Sequence, residues 1–353
     1  MRILVVDDSA LYRKLLTEAA SSAPETEAVA VPNGESALKK LETEAFDLVL
    51  LDVFMEGMNG PQVLEKIKVL HPSLAVVMVS GATGRDAEIT MNCLANGAID
   101  FIPKPAGSSF ETVVETLKAD IRKVASLARF RTTTASPSRV EAIHAPAPTI
   151  QLAPKRLQPP PFPELLLIGV STGGPLALSK IFPVLSAKIP VPILLVQHMP
   201  LGFTKSLAQQ LDKSCDLTVK EAAEGDLPTP GQALIAPGGF HMEVQRNADG
   251  KFQVHLTSAP PVHSCRPSVD VLFDSAANCK LRGAIAVILT GMGSDGADGV
   301  ASLKAACPSW CIAQDAATST VYGMPQAVAQ RDLHDEILPL QEIGPRINKL
   351  FRL

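Results

Sequence analysis

Apolar runs punctuate the first third of the chain at regular intervals. RILVVDD, FDLVLLDV and AVVMVSG each hold a few consecutive apolar residues closed by acidic or small ones, and a further run lies around residues 98–102. Between them, SALKKLETEAF and GPQVLEKIKVL space apolar residues three and four apart, as one face of a helix requires. Continuous rather than alternating runs, separated by amphipathic helices, predict βαβ units around a parallel sheet covered on both faces. The pattern returns after residue 164 with LLLIGV, VPILLVQH, QALIAPGG, FQVHLT, AIAVILTG and WCIAQD as strands. SVDVLFDSAANCK and DGADGVASLKAA read as helices between them. FHMEVQ and FQVHLT flank RNADGK, whose Asp-Gly pair predicts a hairpin. The second half is therefore expected to be a doubly wound, mostly parallel α/β sheet with an antiparallel edge hairpin.

Periodicity lapses between Arg131 and Pro163, where TTTASPSRVEAIHAPAPTIQLAPKRLQPPPFP is rich in proline. Such a segment buries too little to offset the entropy of ordering it, so it reads as an extended linker. This divides the chain into a domain over 1–128, a linker over 129–163 and a second domain over 164–353. Among the 353 residues, 46% are hydrophobic and 19% charged, with a formal net charge of −4, a globular composition without the basic character of a nucleic-acid binder. No apolar stretch is long enough for membrane insertion, and the start, MRILVVDDSA, lacks the form of a signal peptide. Cys93, Cys215, Cys265, Cys279, Cys307 and Cys311 follow neither a disulfide nor a zinc spacing. Reduced thiols in a cytoplasmic protein are expected.

In parallel sheets chemistry collects at the carboxyl ends of the strands. That rule singles out Asp7, Asp8, Asp52 and Ser80, with Lys104 after the fifth strand. Clustered carboxylates repel one another unless a cation joins them, and an all-oxygen set suits Mg²⁺. Asp52 then becomes a nucleophile toward a phosphoryl group, with Mg²⁺ and the Lys104 ammonium balancing the developing charge. Ser80 offers a hydroxyl to an added phosphoryl oxygen. Taken singly, each of these residues also fits a loop cap or a solvated surface.

The motifs VVDDS, LLDVFMEGMNG, VSG followed by the small Ala82, and IPKP make the stretch from Met1 to about Leu127 similar to a response-regulator receiver domain. The resemblance implies a flavodoxin-like sheet of order 2-1-3-4-5. It also implies Asp52 as acceptor of phosphate from a histidine kinase, and Mg²⁺ held by Asp7, Asp8, Asp52 and the Phe54 carbonyl. Ser80, Lys104 and Phe101 stand where the family places its switch residues. One departure is Glu56, where the family usually carries proline.

In the second domain, GVSTG fits G-x-S-x-G with a strand before it and a helix after it. Ser171 there serves equally as nucleophile, as helix N-cap, or, with Thr172, Gly173 and Gly174, as a phosphate cradle. The segment lacks the lysine of a P-loop. A nucleophile needs a base, and His198 is the one histidine that closes an apolar strand. The base needs an acid. LTGMGSDGADG supplies Asp295 after the strand and Asp298 one helical turn later. A metal site for these aspartates lacks a third ligand nearby in sequence.

IGVSTGGP, VQHMP, IAPGGFHMEV, RPSVDVLF, LTGMGSDGADG and AQD together make the region from Leu165 onward similar to chemotaxis protein-glutamate methylesterases. The resemblance implies a serine hydrolase with Ser171, His198 and Asp295 as triad and no cofactor of its own. Its implied substrates are glutamate methyl esters, and glutamines, on chemoreceptor cytoplasmic helices. Met292 and Thr172 are the candidate oxyanion donors, and Arg266 a candidate substrate contact. Phosphorylation of Asp52 is expected to relieve inhibition by the receiver. A phosphorylation-gated esterase of a non-chemotaxis receptor system and a non-catalytic receptor-docking adaptor are the competing readings.

Overall fold

The computed structural model describes residues 1–22, 25–81, 84–105, 110–133 and 158–353, without the side chains of 110, 111, 123 and 126–133. Two compact units are present, Met1–Ala142 and Ile143–Leu353. The Ala82 position lies outside the described residues, as does most of the segment read as linker. What is described of that segment begins as helix, since the last helix of the first unit continues to Thr133.

The first unit alternates strictly: β1 (Arg2–Val6), α1 (Ala10–Ser21), β2 (Glu27–Val31), α2 (Gly34–Thr43), β3 (Leu48–Asp52), α3 (Gly60–Leu70), β4 (Ala75–Ser80), α4 (Gly84–Ala95), β5 (Asp100–Pro103) and α5 (Phe110–Thr133). Its sheet is parallel with order β2-β1-β3-β4-β5. Every residue of β3 and β4 is buried, which is why these strands read as unbroken apolar runs. Helix starts are set by short polar side chains. Asn59 accepts from Gln62 N while the Gln62 side chain accepts from Asn59 N, a reciprocal cap followed by Pro61. Such an N-cap contributes about 1 kcal/mol.

The second unit holds β6 (Leu165–Val170), α6 (Gly174–Ile181), β7 (Ile193–Gln197), α7 (Phe203–Ser214), β8 (Thr218–Glu221), β9 (Gln232–Ile235), β10 (His241–Arg246) and β11 (Phe252–Thr257). Then follow α8 (Val269–Ala277), β12 (Ala284–Ile288), α9 (Ala297–Ala306), β13 (Ser309–Gln314), α10 (Met324–Gln330), β14 (Glu336–Leu338) and α11 (Leu340–Leu350). Seven strands form one sheet of order β14-β13-β12-β6-β7-β9-β8, parallel at every pairing. The expected hairpin forms, β10 against β11, but as a separate two-stranded ribbon rather than an edge of the main sheet. It packs through Met242, Val244 and Val254 into the core beneath α8 and α9.

Chain direction across this sheet sets the site. From β6 the strands grow one way through β7 to β9 and β8, then return to β12 on the other side of β6. The reversal at β6 and β12 opens a crevice outside their carboxyl ends, where α/β sheets bind ligands. Among the described residues no helix is long and apolar enough to cross a membrane.

Candidate active site

Val170 is in register with Gln197 on the neighbouring strand. The next residue on each strand is Ser171 and His198, so the two leave the sheet about 4.8 Å apart, tied by the His198 N–H donating to Val170 O at 3.1 Å. Ser171 N donates to Thr290 O (3.0 Å), and its carbonyl accepts from Gly174 N (2.8 Å) and Gln197 Nε2 (2.9 Å). Its backbone is thus pinned on three sides at 4% exposure. The Ser171 hydroxyl has no hydrogen-bond partner among the described residues, so it is not the cap of α6. That place falls to Gly173 at φ +78°, where a Cβ would lie 2.4 Å from the Thr320 side chain.

The loop after β12 closes over the serine. A Cβ at Gly291 would sit 2.7 Å from Ser171 Cβ and 2.3 Å from Met324 Sδ, so only glycine allows this approach. Beyond it, Asp295 reaches His198: Nε2 donates to Asp295 Oδ2 at 2.7 Å. Asp295 is 2% exposed and filled with donors. Ser268 Oγ (2.8 Å) and Asp270 N (3.0 Å) donate to Oδ1, and Val269 N (2.7 Å) to Oδ2. These come from the N-terminus of α8, which favours a negative charge. Burial opposes the Asp295 charge, yet the hydrogen bond and charge of His198 and the N–H groups of Asp270 and Val269 hold it well below the usual carboxylate range. Burial likewise opposes a charged His198, but the bond to Asp295 and the Cys265 contact outweigh it and raise the imidazole to about 9.

Because a carboxylate can only accept, Nε2 carries the proton in the neutral ring and Nδ1 is the basic nitrogen. Cys265 Sγ lies 3.5 Å from Nδ1.

Nothing in the sequence singled out Cys265, or Ser268 and its two neighbours as anchors of Asp295. A serine followed by an acidic residue at the head of VDVLF does read as an N-cap, and Ser268 is one, accepting from Val271 N.

Met292 and Thr172 border the same crevice. The Met292 N–H meets no acceptor among the described residues, whereas Thr172 is buried with its carbonyl accepting from Thr290 Oγ1 at 2.9 Å. Arg266 braces a loop: its Nη1 donates to Ser258 O and Ala259 O at 2.8 and 3.0 Å. Burial, reinforced by the charge of Asp295 and opposed by the Gly299 N–H, pushes Asp270 up to about 8.

In the first unit the order reversal falls between β1 and β3, and the acidic residues gather there. Carboxylate atoms of Asp7, Asp8 and Asp52 lie within 4.8 Å of one another, a hard-oxygen set that fits Mg²⁺. Lys104 Nζ lies 2.8 Å from Asp52 Oδ2 and 3.0 Å from Asp7 Oδ2. Burial pushes Asp52 up to about 6, with the Lys104 bond working against it and the charge of Asp7 with it. Ser80 is fully buried and bonds Thr90 Oγ1 at 2.6 Å. Phe54 offers its N–H to Asp52, and Phe101 is half-buried on β5 beside Met78. Glu56 N donates to Asp8 Oδ2 at 3.1 Å, a bond that a proline there cannot make.

Comparison with known proteins matches residues 166–347 to the family described as CheB methylesterase and residues 3–117 to the response regulator receiver domain. A protein-glutamate methylesterase/protein-glutamine glutaminase of Halalkalibacterium halodurans is 40% identical over 350 residues, 98% of this chain and 97% of that one. One from Caulobacter vibrioides, with the same name and the number 2, is 42% identical over 347 residues, 98% of each chain. The crystal structure of the Thermotoga maritima CheB methylesterase catalytic domain is 43% identical with a TM-score of 0.51, covering 54% of this chain and 99% of its own. That of the response regulator domain of Thermotoga maritima CheB is 37% identical with a TM-score of 0.32, covering 36% of this chain and 96% of its own.

Proposed function

The chain belongs to the CheB methylesterase family and carries a response regulator receiver domain, and from that premise we propose that it is a phosphorylation-regulated protein-glutamate methylesterase and protein-glutamine glutaminase. Its substrates are glutamate γ-methyl esters and glutamines on the cytoplasmic helices of chemoreceptors, and its phosphodonor is a histidine kinase. The observation that supports this most is the 2.7 Å bond from His198 to a fully anchored Asp295, one strand from a serine whose hydroxyl has no hydrogen-bond partner among the described residues.

Ser171 Oγ attacks the ester carbonyl carbon while His198 Nδ1 takes its proton, and the resulting imidazolium is stabilised by Asp295. The Met292 N–H, with Thr172 N–H as the second candidate, receives the oxyanion. As the tetrahedral intermediate collapses, the C–O bond to methoxide breaks and His198 returns the proton, releasing methanol. Water repeats the sequence on the acyl-enzyme and leaves glutamate and free Ser171. With glutamine the same steps release ammonia. Methanol release from methylated receptor, measured on the wild type and on the Ser171→Ala variant, tests the reading.

His198 uses Nδ1 in this scheme, so Cys265 stands at the path of the transferred proton. Alkylation of Cys265 is expected to reduce methanol release by about 10²-fold or more, the scale of a displaced reacting group. The Cys265→Ala variant is expected to stay within a few-fold of wild type and to resist the reagent. Undiminished methanol release from wild type fully alkylated at Cys265 removes Nδ1 from the pathway.

In the receiver, Asp52 is the phosphoacceptor. Asp7, Asp8, Asp52 and the Phe54 carbonyl would hold Mg²⁺, which supplies charge neutralisation at the phosphoryl oxygens. Lys104 and Ser80 then bond the added phosphoryl group, with Phe101 following the change. Phosphorylation relieves inhibition of ester hydrolysis by the receiver. A small phosphoryl donor with Mg²⁺ is expected to raise methanol release at least several-fold, and Asp52→Asn to abolish that response while keeping the basal rate. An unchanged rate with Asp52 fully modified refutes the regulation.

A further inference from the structure

Asp298 lacks a neighbouring partner ligand in the sequence, and the fold brings one from α8 and one from the turn before it. Asp270, in the first turn of α8, is 4% exposed. Its Oδ1 accepts from Gly296 N at 2.8 Å and Gly299 N at 2.7 Å. Among the described residues its Oδ2 accepts no hydrogen bond. Buried polar atoms are nearly always paired, so an unpaired buried carboxylate oxygen calls for a partner of another kind.

An imidazole faces that oxygen. His263 Nε2 stands 3.3 Å away, without the alignment of a hydrogen bond. A carboxylate oxygen of Asp298 completes a set whose three atoms all lie within 4.8 Å of one another. Tetrahedral zinc, with Zn–N and Zn–O bonds of about 2.0–2.1 Å, places two ligand atoms about 3.3–3.4 Å apart. The His263–Asp270 separation has that value.

The backbone delivers His263 with some effort. Val262 and Cys265 exchange N–H···O bonds of 3.0 and 2.8 Å, and between them His263 and Ser264 take φ of +49° and +63°. Both central positions of this tight turn are left-handed, yet neither is glycine. Such a conformation persists where the surroundings over-determine it. Arg331 Nη1 holds Asp298 Oδ1 at 2.7 Å, orienting the carboxylate as partners behind a metal ligand do.

We propose that His263, Asp270 and Asp298 form a binding site for one divalent first-row transition ion of the zinc class. The imidazole separates it from the all-oxygen receiver cluster and favours such an ion over Mg²⁺ or Ca²⁺. His263 and Asp298 are exposed, so the ion enters from solvent and water completes its coordination. The site lies beside the hydrolytic residues without including them. It joins the turn bearing Cys265 to the helix starts that hold Asp295, so occupancy stiffens the surroundings of His198.

Zinc titrated into the full-length chain in excess magnesium, followed by calorimetry, tests the site. One equivalent is expected to bind, and His263→Ala and Asp298→Asn are each expected to weaken it by about 100-fold or more. Both positions are exposed, and circular dichroism checks that the variants fold. Cobalt(II) in place of zinc is expected to give visible ligand-field bands that His263→Ala removes, while Asp8→Asn in the receiver leaves them. Zinc binding of equal strength in both site variants, or no stoichiometric binding to the wild type, overturns the assignment.

Discussion

Ser171→Ala is expected to lower methanol release from methylated receptor helices by about 10³-fold or more, following the scale of triad deletions. The fold is expected to remain intact, because every bond that Ser171 makes among the described residues is through its backbone. Thr290 O still receives its N–H, and Gly174 N and Gln197 Nε2 still reach its carbonyl. Alanine removes only an oxygen without a hydrogen-bond partner among the described residues. The missing rate therefore belongs to chemistry rather than to stability, and an unchanged melting temperature beside the lost turnover separates the two. A variant retaining more than about a tenth of the wild-type rate would remove Ser171 from the mechanism, since no partial loss of a nucleophile is that mild.

The strands that carry the site were legible because burial on both faces strips them of polar residues. β6 and β12 are buried along their whole length and read as unbroken apolar runs. β8 and β14 carry no such signal, for the opposite reason. They form the two edges of the sheet, only four and three residues long, with polar residues in TVKE and EIL. The hairpin was visible through its Asp-Gly turn, but turn chemistry is local and does not say what the ribbon packs against. That depended on Met242 and Val254 meeting the core under α8.

Strand-end position likewise exposed Ser171, His198 and the receiver aspartates, since a residue just past a parallel strand must face the crevice or its rim. What holds Asp295 was hidden. Ser268 and Asp270 lie 27 and 25 residues before it and meet it only because α8 packs against α9. Cys265 carried no local signal at all; its contact with His198 spans 67 residues. In the sequence Glu56 stands out only as a departure from its family, whereas its contribution is an N–H that any residue but proline supplies.

Asp295→Asn is expected to reduce turnover by about 10²–10⁴-fold, the upper figure being the loss seen when a triad loses its acid. Asp295 accepts at both oxygens from N–H groups, Asp270 N at Oδ1 and Val269 N at Oδ2. Either orientation of an asparagine amide turns its NH₂ toward one of them. The variant also loses the negative charge that keeps the His198 imidazolium favourable inside the protein. The pH profile separates this from a structural defect. In the wild type the imidazole holds its proton up to about 9, and only the neutral ring accepts the serine proton. The free-enzyme profile, kcat/KM against pH, should therefore climb through neutrality and level off near 9. Without Asp295 its bond and charge no longer oppose the burial of the ring, and burial favours the neutral form. The climb should then move to lower pH than in the wild type. A variant slowed equally at every pH would place Asp295 in the scaffold instead of the reaction.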